Sequence, residues 1–285
     1  MAADIKQVEK KSVGKEVEFR LVRFDPDKDQ APYFQSFRIN LDHGMTVLDA
    51  LMRIKETQDP TLSYRKSCRM GICGSCAMQV NGFPKLTCQT QVTEINIDKP
   101  IEVRPLANYP IVRDLVPDLR SFLKAHESIK PYIIREDVGE LDHPTGEYCQ
   151  SPEELEKYLQ FAYCIKCGAC LAACPTNATD RDFLGPQALA AAYRYVADSR
   201  DQGLQQRLEP VGGPNGIFRC HYAGACSEAC PKGVDPSLGI QLLKREILKQ
   251  RVRAAGKKPA PLAVTPAGMK RREGIPLPPE RTVGK

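Results

Sequence analysis

The sequence predicts an α+β protein in two parts, a small N-terminal sheet with one packed helix followed by an all-helical half. Three observations carry this. Short stretches of the first hundred residues alternate apolar and polar with a period of two. Residues beyond about 150 hold capped stretches with a helical period. Eleven of the twelve cysteines fall into three groups, one in the first half and two in the second. A chain of 285 residues is long enough for two domains.

In the first half, Val17, Phe19 and Leu21 alternate with Glu16, Glu18 and Arg20, and Phe37, Ile39 and Leu41 alternate with Ser36, Arg38 and Asn40. Each run reads as a half-buried strand. Residues 25–32, rich in Asp and Pro, form the turn between them. Thr46 caps a helix with Asp49 in its first turn and Leu48, Leu51, Met52 and Lys55 on one face, and that helix ends near Thr57, before Pro60. Asn81-Gly82 predicts a tight hairpin between residues 78–80 and 83–86, and Ile101 and Val103 close the sheet.

In the second half, Ser151-Pro152-Glu153-Glu154 is a capping box with proline at the first helical position, opening a helix that runs into Cys164. Gly185-Pro186 opens another, with Leu189, Tyr193 and Val196 on one stripe. Asp235-Pro236 starts a third, with Leu238, Leu242 and Ile247 toward a core and Lys244, Arg245 and Lys249 outward. Residues 211–216 read as a loop. The expected division is 1–110, 111–252 and a basic, proline-rich tail over 253–285, which is either disordered or an arm along a partner.

Composition narrows the function. No stretch approaches the roughly 20 apolar residues of a membrane span; the longest, Ala188 to Ala197, is interrupted by Arg194. The formal charge of +6 is scattered among acidic residues, which argues weakly for an acidic partner or anionic headgroups and against a nucleic-acid-binding surface. Residues 1–15 are lysine-rich without an apolar core, so no secretory signal supports disulfides, and no transit-like segment points away from a prokaryotic cytoplasm.

The cysteine spacings are those of iron-sulfur sites. Cys68, Cys73 and Cys76, completed by Cys88 after the hairpin, have the x4, x2 spacing of a plant-type 2Fe-2S site. Cys164, Cys167, Cys170 and Cys174 followed by Pro175 form a bacterial C-x2-C-x2-C-x3-C-P run. Cys220, Cys226 and Cys230 followed by Pro231 form a second such run with Ala223 where a cysteine is expected. Because the last cysteine of each run ligates the other cluster in two-cluster ferredoxins, Cys164, Cys167, Cys170 and Cys230 suit a 4Fe-4S cluster. Cys174, Cys220 and Cys226, three thiolates, suit a 3Fe-4S cluster. Zinc also accepts four thiolates, but it does not account for an x4, x2 triad beside two proline-terminated runs. Gly71 and Gly74 let the first loop wrap tightly and offer N–H groups to sulfur. Arg65, Lys66 and Arg69 on that loop suit an acidic docking partner. Cys149 stands outside all three groups as an inert thiol.

The first-half pattern resembles the β-grasp fold of plant-type ferredoxins, and the second an all-α, bacterial-ferredoxin-like domain. Over residues 15 to 250, with phrases such as Cys68-Arg-Met-Gly-Ile-Cys-Gly-Ser-Cys76, Phe183-Leu-Gly-Pro186, Asp198-Ser-Arg200 and Cys230-Pro-Lys-Gly233, the chain is similar to the iron-sulfur subunits of succinate dehydrogenase and quinol:fumarate reductase. The resemblance implies an electron wire, fed by a flavoprotein partner whose FAD oxidises succinate and drained by quinone at a transmembrane, cytochrome b-type anchor, with haem b on the anchor. It implies a peripheral position on the cytoplasmic face of a prokaryotic inner membrane. The implied order is 2Fe-2S, 4Fe-4S, 3Fe-4S, and the implied quinone pocket includes Pro175 and His221. Members of the family place a tryptophan where this chain has Thr179, and this chain has none. Cys226-Ser-Glu-Ala-Cys230 resembles the fumarate reductase branch. A freestanding ferredoxin-like carrier is the alternative from another class, although such carriers are usually small and acidic; a heterodisulfide-reductase-like subunit would need a cysteine-rich domain that this sequence lacks.

Overall fold

In a computed structural model the chain is described over residues 14–252 and 264–266. The expectations for the lysine-rich start and for most of the tail lie outside these residues. Strands β1 (Glu16–Arg23) and β2 (Tyr33–Asn40) pair antiparallel with Val17 opposite Ile39 and Phe19 opposite Phe37. Their alternation buries Val17, Phe19, Leu21, Phe37 and Ile39. Helix α1 (Val47–Thr57) begins at a complete capping box: the Thr46 hydroxyl accepts from the Asp49 N–H at 3.1 Å, and the Asp49 carboxylate accepts from the Thr46 N–H at 3.1 Å. Its buried face is Val47, Leu48, Ala50, Leu51 and Ile54. Met52 and Lys55, expected on that face, are half-buried, and Lys55 Nζ donates to the Leu62 carbonyl at 2.6 Å.

Strands β3 (Ala77–Val80) and β4 (Phe83–Leu86) form the expected hairpin, with Asn81 and Gly82 at φ 49° and 82°. Strand β5 (Ile101–Arg104) does not close the sheet. The order is β2-β1-β5-β3-β4, with β5 parallel to β1 and antiparallel to β3. A strand with Ile101 and Val103 both fully buried can satisfy its backbone between two neighbours.

A short ribbon, β6 (Ile111–Arg113) and β7 (Val116–Pro117), follows. Its turn residue Asp114 ties it to the sheet by accepting from Arg23 Nε at 3.0 Å, the Phe24 N–H at 3.0 Å and the Ser63 N–H at 2.8 Å. The remaining elements are α2 (Arg120–Ser128), α3 (Val138–Asp142), β8 (Gly146–Tyr148), α4 (Pro152–Ala162), α5 (Ala169–Ala172), α6 (Pro175–Thr179), α7 (Gly185–Val196), α8 (Leu204–Gly212), α9 (Ala225–Glu228) and α10 (Pro236–Val252). A last strand, β9 (Val264–Pro266), pairs antiparallel with β8.

Helix α7 is buried from Gly185 through Tyr193 and is the axis of the second core, with α4 and α10 packed along it. Two sequence expectations change here. Residues 211 and 212 belong to α8 rather than to a loop, because the Val211 side chain is buried in this core in spite of Pro210. On α10 the buried stripe is Ile240, Leu243 and Ile247, while Leu238 is exposed and Leu242 half-buried. Lys244 is half-buried and donates to the Cys220 carbonyl at 3.4 Å. The face is chosen by the approach to α7, which a local apolar count does not encode.

A third cluster joins the halves: Leu48, Leu86, Leu106, Tyr109 and Phe122 meet Leu171 and Ala172 of α5. Asn108 Nδ2 donates to the carbonyls of Leu171, Ala172 and Cys174 at 2.9, 3.2 and 3.1 Å. In the second half, Arg207 and Asp201, each with a side chain only 1% exposed, form an ion pair at 2.7 Å, and Arg207 also donates to the carbonyls of Ile129, Lys130 and Tyr132. Arg207→Met leaves the buried Asp201 carboxylate with the N–H donors of Ile134 and Gly203 but without its cation, and takes a donor from three carbonyls. It should cost about 3–5 kcal/mol, read as a lower chemical-denaturation midpoint of the second half. An unchanged midpoint would show that the pair adds nothing to stability.

Candidate metal centre

The first cysteine group sits where α1, the β3–β4 hairpin and the intervening loop converge. Cys68 Sγ accepts from the backbone N–H groups of Met70, Ile72 and Cys73 at 3.5, 3.3 and 3.2 Å, and Cys73 Sγ accepts from the Cys68 N–H at 3.5 Å. Such donors stabilise negative sulfur. The loop can turn this tightly because Arg69, Gly71 and Gly74 are left-handed, at φ 59°, 69° and 73°. The Ser75 hydroxyl, then the backbone donors, pull the exposed Cys73 thiol down to about 6. Burial pushes Cys88 up to about 11, with its neighbour Cys76 adding to the rise and the Gly71 N–H opposing it.

The second and third groups occupy two equivalent loops. Cys164-Ile-Lys-Cys-Gly-Ala-Cys170 leads into α5, and Cys220-His-Tyr-Ala-Gly-Ala-Cys226 leads into α9. In both, the third and fifth positions are left-handed: Lys166 and Gly168 at φ 54° and 83°, Tyr222 and Gly224 at 58° and 77°. Two non-glycine residues adopt a conformation that costs roughly 1–2 kcal/mol each, so the loop shape is imposed twice. In that shape Ala223 stands where Cys167 stands in the other loop.

Each loop's thiols are joined by one thiol from the other run, Cys230 beside Cys164, Cys167 and Cys170, and Cys174 beside Cys220 and Cys226. Burial pushes Cys167 up to about 11, and the charges of Cys164 and Cys230 add to it. Cys170, also buried, is raised well above the ordinary thiol value by burial and then by Cys167, Cys164, Cys226 and Cys230. Burial likewise pushes Cys226 up to about 11, with Cys174 and Cys220 adding to it. Two open hollows accompany these groups. One, of about 390 Å³, is lined by Cys164, Cys167, Cys170 and Cys230. The other, of about 320 Å³, is lined by Cys174, Cys220 and Cys226 together with Pro175, His221 and Ala223.

Among the described residues no three His, Cys, Asp or Glu side chains converge on a point that one ion could occupy. The donor set, sulfur only, and the N–H groups aimed at sulfur suit an iron-sulfur cluster. His221, Tyr222 and Ala223 are exposed, as are Pro175 and Thr179, so the second hollow opens at the surface. Cys149 is exposed and lies on the β8 side of the molecule, apart from the three groups.

Residues that sequence reasoning missed hold the loops together. Tyr109 Oη donates to the Gly168 carbonyl at 3.1 Å, and Asn108, left-handed at φ 65°, clamps the end of α5. A Cβ on Gly74 would stand 2.8 Å from Cys167 Cβ, so the first loop touches the second directly. Only the left-handed tolerance of asparagine hinted at the role of Asn108. Pairings across 60 residues leave no local signal.

Comparison with known proteins agrees with this geometry. A family described as a 2Fe-2S iron-sulfur cluster binding domain matches residues 18–124, and one described as a 4Fe-4S dicluster domain matches residues 160–234. The chain is 46% identical over 240 residues to the fumarate reductase iron-sulfur subunit of Haemophilus influenzae, covering 81% of this chain and 93% of that protein. It is 40% identical over 236 residues to the succinate dehydrogenase iron-sulfur subunit of Paracoccus denitrificans, covering 82% and 89%. A chain of the Mycobacterium smegmatis Sdh1 complex in the apo form shares the fold at a TM-score of 0.75 and 24% identity, covering 86% of this chain and all of that one. Sheet, helices, paired loops and relatives together show that the chain belongs to the iron-sulfur subunits of succinate dehydrogenase and fumarate reductase and serves as the electron-transfer subunit of such an oxidoreductase.

Proposed function

We propose that this subunit takes electrons from FAD on a flavoprotein partner and delivers them to quinone at a transmembrane, cytochrome b-type anchor, working as part of a succinate dehydrogenase (quinone). The observation that carries the reading is the crossing of the loops, in which Cys230 faces Cys164 and Cys167 while Cys174 faces Cys226. The proposed ligand sets are Cys68, Cys73, Cys76 and Cys88 for 2Fe-2S; Cys164, Cys167, Cys170 and Cys230 for 4Fe-4S; and Cys174, Cys220 and Cys226 for 3Fe-4S. Residues 1–110 would carry the first set and 111–252 the other two. When bound, each cluster accepts and releases one electron. The chain's part is to hold thiolate sulfur under backbone N–H donors, keep water away by burying Cys76, Cys88, Cys170, Cys174 and Cys226, and bring the sites close by leaving Gly74 without a side chain against Cys167.

Pro175 and His221, at the mouth of the second hollow, are proposed to line the quinone pocket. The place of the family's tryptophan is taken by the exposed Thr179, whose hydroxyl donates to the carbonyls of Pro175 and Thr176 at 3.3 and 3.1 Å and so turns back onto α6. Among the described residues no helix is long and apolar enough to cross a membrane, which supports a peripheral position, proposed to be the cytoplasmic face of a prokaryotic inner membrane. Fumarate reduction is the second reading, favoured by the Cys226-Ser-Glu-Ala-Cys230 phrase and by the 46% identity to a subunit of that name.

Anaerobically purified complex should contain about nine irons in this subunit by the ligation rules, with three distinguishable EPR signals; stoichiometric zinc would sink the reading. Ala223→Cys should convert the third site to 4Fe-4S at a lower potential, because a further thiolate adds negative charge. Its oxidised 3Fe-4S signal should fade, and a signal at full strength in an assembled variant would contradict the ligand set. His221→Ala should slow quinone reduction while sparing succinate-driven reduction of an acceptor that takes electrons at the flavin. Undiminished quinone reduction would remove His221 from the pocket, and faster fumarate reduction than succinate oxidation in the same membranes would favour the second reading.

A further inference from the structure

Two polar side chains that no ligand set uses line the hollow proposed to hold the 4Fe-4S cluster, the half-buried Lys232 and the buried Gln187. Gln187, the third residue of α7, is only 3% exposed and borders the hollow beside Cys164, Cys167, Cys170 and Cys230. One arm of its amide is engaged, with Nε2 at 3.2 Å from Nδ1 of His126 on α2, which packs against α7. The other arm, Oε1, is buried without a partner. An amide oxygen buried and unpaired costs about 1–3 kcal/mol, and one turned toward thiolate sulfur would add repulsion. Half a turn of the amide removes both penalties, since the oxygen then accepts from the Nδ1–H tautomer of His126 and the NH2 group is free to face the hollow. Burial, and then the charge of Lys166, lower the affinity of His126 for a second proton, which leaves the neutral ring able to adopt that tautomer.

We propose that the Gln187 amide, oriented by His126, donates a hydrogen bond to sulfur of the 4Fe-4S cluster and raises that cluster's reduction potential. This rests on the cluster assignment made above. Reduction places additional negative charge on sulfur, so a donor there stabilises the reduced state more than the oxidised one. Gln187 is a positioning residue for charge, not a ligand. His126 acts one step further out, by fixing which end of the amide faces inward. The arrangement would set the middle site of the wire independently of the two ends.

The test is an EPR-monitored redox titration of the whole complex purified in detergent, with the 2Fe-2S and 3Fe-4S signals as internal references. Gln187→Leu keeps the volume and removes the donor. It should make reduction of the 4Fe-4S cluster about tenfold less favourable, about 59 mV for one electron, and leave both references in place. His126→Phe should lower the same potential by less, and the double variant should match Gln187→Leu alone, because the two residues act through one contact. An unchanged potential in Gln187→Leu, a rise, or additive effects in the double variant would each overturn the proposal. Where Gln187→Leu fails to load the cluster, His126→Phe decides: a lowered potential supports the role and an unchanged one overturns it. A parent complex with no 4Fe-4S signal would sink the cluster assignment itself.

Discussion

Direct contact between two cysteine loops is the constraint around which the rest of this fold is arranged. Gly74 and Cys167 meet with no space for a side chain between them, although they lie more than ninety residues apart. Holding that contact requires the hairpin and α1 to present the first loop and α5 to present the second. The interface of Leu106, Tyr109, Phe122 and Leu171 then excludes water behind both. Asn108 makes this rigid by spending one side-chain amide on three carbonyls at the end of α5. The two halves are separate in sequence pattern yet share one of the three apolar clusters among the described residues. Electron transfer between their sites depends on that shared packing.

The thiols face opposing demands that the architecture resolves by position. Buried cysteines such as Cys170 are driven toward the neutral thiol by loss of water and by one another's charge. A metal ligand must be a thiolate. Backbone N–H groups answer part of this at the first loop, where Cys68 accepts three of them, and the positive charge of iron would answer the rest when a cluster is bound. The first site stays near the surface, with Met70, Ile72 and Cys73 exposed among Arg65, Lys66 and Arg69, a composition suited to an acidic partner surface. The second lies against α7, with Tyr109 bonded to its loop at Gly168. The third opens through His221, Tyr222 and Ala223. The exposure of each group follows from where its loop falls on the two cores.

The paired loops share one backbone geometry although their middle positions differ, Cys167 in one and Ala223 in the other. Lys166 and Tyr222 accept left-handed backbone angles at equivalent places, and Gly168 and Gly224 follow them. This shape serves to deliver the cysteine at the end of each loop into α5 or α9, so it is needed whether the middle position is Cys167 or Ala223. A loop that had merely drifted would have no reason to keep a tyrosine in a strained conformation. The conserved shape beside the altered side chain supports the reading of Ala223 as the vacated position in a four-ligand site.

The sequence by itself determined the elements and the inventory of chemistry: period-two strands, Asn81-Gly82, the Thr46 and Ser151 caps, and three cysteine groups of diagnostic spacing. These are local, because a turn, a cap or a ligand triplet is specified by residues within a few positions of one another. Tertiary structure alone decided which strand lies centrally, which face of α10 is buried, and that residues 211–212 continue a helix through Pro210. It also decided that Gly74 meets Cys167 and that Gln187 faces His126. Each of these outcomes depends on what packs against the residue from a distant part of the chain. Burial energy rewards such contacts without leaving a periodic mark in the residues that make them.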